Sequence, residues 1–403
     1  MDTHDPEVDR QLAAFQRGAT DLIEEKQLRG MIAASLRESR PLRMKFGMDP
    51  SSPDLHLGHA VQLRKLRDVQ ELGHQVVLIV GDATAMVGDP SGRNKLRPVL
   101  TREEVEANLV TYTDQAAQVL DMERTEVRRN SEWFDEMGFE ELLKLTTRMT
   151  VAQMLERDTF QTRMEAEEPI GINEFLYPLM QGWDSVKVEA DIELGGTDQL
   201  FNLLVGRRMQ EQVGQRPQIV LTQPLINGLD GRKMSKSYDN SIGLTAPAKE
   251  MTFRVMQVDD EVMATWFLHL TRMAPADIDA ALAAHPREAK ARLAAEITTF
   301  YHSAEAAAEA AAQFDREVRD KVLPDDLPEV AWDAGWGESL PLPNLLKEMG
   351  LCQSTSEARR AVQQGGVRID GEVTKDAKEM VAAPSSPRLV QVGKKRAARV
   401  LPG

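Results

Sequence analysis

An α/β fold built on a parallel, doubly wound sheet is what this 403-residue sequence predicts, and three observations predict it. Short β-type runs alternate with helix-period segments up to about residue 244. Text rich in Ala, Leu and Glu takes over from about Thr245 and reads as helix. A compact basic module closes the chain.

The first strands are LRMKFGM at 42–48 and HQVVLIV at 74–80, with helix-type spacing between them from Leu57 to a Gly stop at Gly73. T-R-E-E at 101–104 sets Glu104 three residues after Thr101, the pattern of a capped helix start. TEVRR at 125–129 reads as strand, and residues 137–185 read as mostly helical. DIELGG at 191–196 is a strand entering a Gly turn, FNLLVGRRMQ a helix, and PQIVLTQ at 217–223 a further strand. Sheets of this type bind ligands at the carboxyl ends of their strands. The expected domains are 1–244, with a helical insertion near 130–185, then a helical subdomain at 245–322. Prolines among acidic residues mark 323–340 as a linker. Residues 341–403 form a small α+β unit.

A hydrophobic share of 42% with 28% charged residues provides a sizeable core and excludes disorder throughout. The five-residue run Val76 to Val80 is far short of the ~20 residues that a membrane-spanning helix needs, so no membrane segment is expected. The opening MDTHDPEVDR does not resemble a secretory signal, and a lone cysteine, Cys352, suits a reducing cytoplasm. The net charge of −15 conceals an asymmetry. Ser339 to Gly403 hold 11 Lys+Arg against 6 Asp+Glu, a balance of +5, on a body of −20. Such a tail can meet a polyanion or be an ordinary solvated face.

HLGH places His56 and His59 three positions apart at a helix start, a favourable anion site, with Gly58 permitting close approach between them. Taken alone, the pair fits a phosphate role, a helix-surface pair or a metal pair. GRKMSKS, Gly231 to Ser237, adds Lys233 and Lys236, ammonium groups on long stems that suit a polyphosphate and are equally common on solvated loops. Tyr177, Gln181 and Asp184 fall at i, i+4 and i+7 of a predicted helix, so their polar tips share one face, as in a pocket for a small polar ligand or on a surface helix.

HLGH followed about 175 residues later by an unaltered KMSKS resembles the paired signature of class I aminoacyl-tRNA synthetases. GDPSG at 88–92, FLYPLMQGWDS at 175–185, GGTDQ at 195–199 and the K-x-G-x-D-P run before LHLGH are similar to the bacterial branch of the tyrosyl-tRNA synthetases. The resemblance covers nearly the whole chain, and tryptophanyl-tRNA synthetases are the nearest relatives by fold. It implies a Rossmann-like sheet, a homodimer built on the helical insertion, and a tyrosine–tRNA ligase using ATP with Mg²⁺ and no protein-bound metal of its own. The implied ATP contacts are Gly47, Asp49, His56, Gly58, His59, Arg93, Gly196, Asp198, Lys233 and Lys236, with His56, His59, Lys233 and Lys236 catalytic. For tyrosine, Asp184 is implied to accept the phenolic proton, Tyr177, Gln181 and Asp89 to hold the ammonium, and Gln199 to lie near the carboxylate.

Two departures stand out. Lys45 and Phe46 occupy positions where the best-known branch has a Tyr that meets the substrate hydroxyl and a Cys near the ribose, and Arg93 replaces a phosphate-reaching Lys. The tail resembles a small RNA-binding fold shared with a ribosomal small-subunit protein. STSEARRAV implies a helix start presenting Arg359 and Arg360, GGVRIDG a hairpin, and Lys394 to Arg396 a further basic patch. Two other classes remain open on sequence: an RNA-binding protein on a retired synthetase body, and a free-standing adenylyltransferase.

Overall fold

The five strands that the sequence predicts in the first 223 residues form within one or two residues of their expected bounds. The computed structural model describes residues 5–50, 54–91, 101–319, 327–393 and 396–403. They divide into two compact units, Met1–Ala308 and Glu309–Gly403.

The sheet of the first unit comprises β1 (Asp21–Ile23), β2 (Arg43–Met48), β3 (Gln75–Val80), β4 (Thr125–Arg129), β5 (Ile192–Gly196) and β6 (Ile219–Gln223). Their order is β1-β6-β5-β2-β3-β4. All neighbours are parallel except β1, which pairs antiparallel with β6 at the edge. The three-residue β1 carries no periodicity of its own and was not expected. β5 and β6 are buried along their whole length, as parallel strands covered on two faces require.

The helix Leu57–Glu71 follows β2 and ends two residues before Gly73, whose φ of +89° suits a residue without Cβ. Thr101 and Glu104 form the expected capping box at the start of the helix Arg102–Ala116. The insertion contains helices Phe139–Thr146, Val151–Met154 and Asp158–Glu165, and leads into Leu176–Lys187. That last helix crosses Leu200–Gln212 very closely. A Cβ on Gly182 would lie 2.9 Å from Met209 Sδ and 3.2 Å from the Gly206 backbone nitrogen, so the pair needs glycine at the crossing.

Residues 248–301 are helical and share one core with the sheet layer, in which Trp266 and Phe267 are fully buried. The Trp266 indole donates to the Asn227 carbonyl at 2.9 Å, tying these helices to the loop that leads into GRKMSKS.

In the second unit, helices Leu342–Glu348 and Thr355–Gln363 pack on a five-stranded sheet around Leu346, Val362 and Val390. Val367–Ile369 and Glu372–Thr374 make the expected hairpin. The expectation of a linker at 323–340 is corrected over its described part. Glu329–Ala331 pairs in parallel with Arg399–Leu401, Ser339–Pro341 pairs with Met380–Ala382, and Trp332 is buried in this unit's core. Apolar Val330, Trp332 and Leu340, interspersed among the prolines, explain why the stretch folds. Among the described residues no helix is long and apolar enough to cross a membrane.

Candidate active site

A cleft of about 340 Å³ lies at the carboxyl ends of β2, β3 and β5. Most of the sequence-predicted residues line it. Gly47 and Asp49 come from the end of β2, His56, Gly58 and His59 from the following helix start, and Asp89 from the loop beyond β3. Tyr177, Gln181 and Asp184 come from one helix face, Gly196, Asp198 and Gln199 from the turn after β5, and Lys233 from the distant loop. Lys236 is not among the lining residues, because its half-exposed ammonium pairs with Asp54. Arg93, Lys394 and Lys395 lie outside the described residues. Arg359 and Arg360 belong to the second unit.

The two histidines form a reciprocal cap. His56 is the N-cap residue, and its Nδ1 accepts the Gly58 N–H at 3.1 Å. The Nδ1 of His59 accepts the His56 N–H at 3.1 Å. With Nδ1 an acceptor in both rings, the single proton of each neutral imidazole sits on Nε2. Burial, then the Lys236 charge, pushes the His56 pKa down to about 4, and burial, then His56, pushes that of His59 down to about 3. Both are therefore neutral Nε2–H donors at pH 7. A Cβ on Gly58 would lie 2.8 Å from the His56 ring, so glycine is what lets this cap close.

Backbone pairing brings the KMSKS loop to these imidazoles. The Leu57 N–H donates to the Ile242 carbonyl at 2.9 Å and the Leu244 N–H to the Leu55 carbonyl at 3.1 Å, with His56 opposite Gly243. The sulfur of buried Met234 meets the Gly58 N–H at 3.1 Å. Asn240 holds the loop from within: its Oδ1 accepts the Ser235 N–H at 2.8 Å, and its Nδ2 donates to Asp230 at 2.7 Å and to the Lys233 carbonyl at 3.1 Å.

Also lining the cleft, buried Asp184 accepts the Trp133 indole N–H at 2.9 Å and the Asn130 amide at 3.3 Å. Burial raises its pKa to about 7, against the lowering effects of Lys45, Trp133 and Asn130. The Tyr177 hydroxyl donates to Asp49 Oδ2 at 2.7 Å, and Thr84 donates to Oδ1 at 2.8 Å. Burial, then the Asp49 charge, raises the Tyr177 phenol well above its ordinary range. Asp89 accepts the Gln199 amide at 2.8 Å and faces the guanidinium of buried Arg157 at 3.4 Å. Asn130, Trp133, Thr84 and Arg157 belong to no motif and were missed. The only available signal was that Asn130 directly follows a strand that ends at the ligand edge. Lys45 does not line the cleft, whereas Phe46 does.

Residues 37–318 match the profile of a family described as tRNA synthetases class I (W and Y), and residues 340–383 match the S4 domain. A tyrosine–tRNA ligase of Francisella tularensis is 46% identical over 396 residues, covering 97% of this chain and 98% of its own length. One from Bordetella avium is 47% identical over 401 residues, covering 98% and 97%. The chain belongs to the tyrosyl-tRNA synthetases. Solved structures of lower identity share the fold. A C-terminally truncated mitochondrial tyrosyl-tRNA synthetase from Aspergillus nidulans superposes with a TM-score of 0.62 at 22% identity, covering 76% of this chain and 93% of that one. The tyrosine complex of the Archaeoglobus fulgidus enzyme gives 0.58 at 21%, covering 75% and 99%.

Depressed imidazole pKa values make a direct prediction. In nitrogen-detected resonance titrations, His56 and His59 stay neutral with the proton on Nε2 from pH 8 down to about pH 5 and charge only below it. A midpoint near the ordinary value of about 6.5 for either ring contradicts this cap geometry.

Proposed function

We propose that the chain activates tyrosine with ATP to give tyrosyl-adenylate and pyrophosphate, and then transfers the tyrosyl group to the 3′-terminal ribose of its tRNA. The observation that supports this reading is that His56, His59 and Lys233, groups suited to phosphate, line the same cleft as Tyr177, Gln181 and Asp184. The tyrosine carboxylate, ionised at neutral pH, attacks the α-phosphorus, and the bond to pyrophosphate breaks. No base is needed. The chain's contribution is positioning and charge stabilisation, with His56 and His59 donating neutral Nε2–H bonds and Lys233 supplying a positive charge. Lys236 joins them once it exchanges Asp54 for phosphate. We assign Mg²⁺ to the nucleotide's phosphates, as part of the substrate.

In this reading Asp184 accepts the phenolic O–H, while its own donors Trp133 and Asn130 hold it in place. Phenylalanine leaves that buried acceptor short of a partner, which disfavours it. Asp89, Gln181 and Tyr177 surround the ammonium, Gln199 lies near the carboxylate, and Gly47, Asp49, Gly196 and Asp198 meet the nucleoside side. Arg359 and Arg360, on the helix capped by Ser354, contact tRNA phosphates. Arg396 is already paired with Glu357 at 2.8 Å, so it contributes less. Phe139 and Ile172 are 77% and 84% exposed, and with Leu143 and Val151 they give the helical insertion an apolar surface that suits a second copy of the chain. We place the enzyme in the cytoplasm, where a buried free thiol such as Cys352 stays reduced.

Pyrophosphate exchange should appear with tyrosine and fall at least ~10²-fold in His59→Ala or Lys233→Ala, the scale of losing a preorganised charge contact. Exchange that survives both changes, or that prefers another amino acid, contradicts the assignment. Arg359→Glu with Arg360→Glu should lower tRNA charging about tenfold or more while exchange is unchanged; equal charging rules out that RNA contact. Sedimentation at micromolar concentration should read a dimer that Phe139→Glu weakens, and a wild-type monomer would exclude this interface.

A further inference from the structure

Behind Gln181 in the wall of the cleft lies a charged pair, Lys45 and Glu193, neither of which lines the cavity. Lys45 on β2 and Glu193 on β5 are direct register partners, and both are fully buried. The Lys45 ammonium spends its three protons on three acceptors, each at 2.8 Å: Glu193 Oε1, Ser185 Oγ and the Gln181 carbonyl. Glu193 in turn accepts the Gln181 amide at 3.1 Å, the Ser185 hydroxyl at 3.0 Å and the Gln218 amide. The other end of the Gln181 amide accepts from Asn202 at 2.9 Å, so its orientation is fixed at both atoms. Gly206 closes the cluster, since a Cβ there would come within 2.9 Å of Ser185 Oγ and 2.8 Å of Gln218 Nε2.

We propose that Lys45 and Glu193 are positioning residues for tyrosine recognition, an interior ion pair that fixes Gln181 and the helical turn carrying Asp184 without touching the ligand. The inference rests on the reading that this end of the cleft holds tyrosine. The desolvation of two buried charges offsets much of their attraction, so the ion pair is weak evidence for stability and its purpose lies in the geometry it enforces. The Lys45 charge also favours the ionised form of Asp184, against its burial. Where the best-known branch has a Tyr pointing at the substrate, this chain recruits the same strand position from behind.

Lys45→Met alone strands a buried carboxylate and is expected to unfold the protein, so the informative variant is Lys45→Met with Glu193→Gln in the full chain. It should melt within a few degrees of wild type, raise the tyrosine KM in exchange about tenfold or more, leave the ATP KM within roughly twofold, and activate phenylalanine relatively better. A folded double variant with unchanged tyrosine KM and unchanged phenylalanine ratio overturns the proposal. Should the double variant not fold, Ser185→Ala carries the same test, with about a threefold rise in tyrosine KM alone supporting the proposal and no rise overturning it. Wild-type protein lacking tyrosine-dependent exchange would instead overturn the functional reading, and the inference with it.

Discussion

Two backbone hydrogen bonds, Leu57 to Ile242 and Leu244 to Leu55, hold together chain segments separated by most of the catalytic unit. Everything about the site depends on this junction. The imidazoles come from a helix start that follows β2 and the ammonium groups from a loop that follows β6, so the proposed triphosphate site needs both segments. Met234 against the Gly58 N–H adds a side-chain contact across the same seam, and Trp266 anchors the loop from the helical layer through Asn227. Catalysis by positioning requires such rigidity, because a small misplacement of donors forfeits much of their effect.

Charge is arranged around the cleft with equal economy. His56 and His59 are kept neutral by burial and by nearby cationic groups, so in the proposed function they meet phosphate as hydrogen-bond donors and not as cations. The Lys236–Asp54 pair keeps a further cation beside the cleft. In the same cleft, Asp184 is a buried acceptor held by two donors, Trp133 and Asn130. A buried acceptor reads a hydroxyl well because leaving it unpaired is costly.

Much of this was legible in the sequence, for identifiable reasons. The strand at 75–80 is a buried apolar run bounded by turns, which leaves little freedom for another reading, and the strands at 43–48 and 192–196 are short β-type runs that end in Gly-containing turns. The helix start at Thr101 was legible because a capping box is a local interaction. The cleft residues were legible through the family resemblance that HLGH, KMSKS and the Tyr177 helix face carry together, since each feature alone also fits an ordinary solvated surface. What failed was non-local. β1 exists only because β6 offers it an edge, and Glu329–Ala331 became a strand only because the last strand of the chain lies beside it. The side of the sheet to which Lys45 turns, and the donors that Asn130 and Trp133 aim at Asp184, are set by helices far away in sequence. No spacing rule encodes them.

In the proposed reaction the histidine cap and the KMSKS loop act on one triphosphate while Asp184 reads the amino acid. The most direct measurement is a crystal structure with tyrosine and a non-hydrolysable ATP analogue bound together. His56 Nε2, His59 Nε2 and Lys233 Nζ should then lie within hydrogen-bonding distance of phosphate oxygens, and the phenolic oxygen against Asp184. Phosphates seated away from both segments, or an amino acid whose ring points away from Asp184, would contradict it.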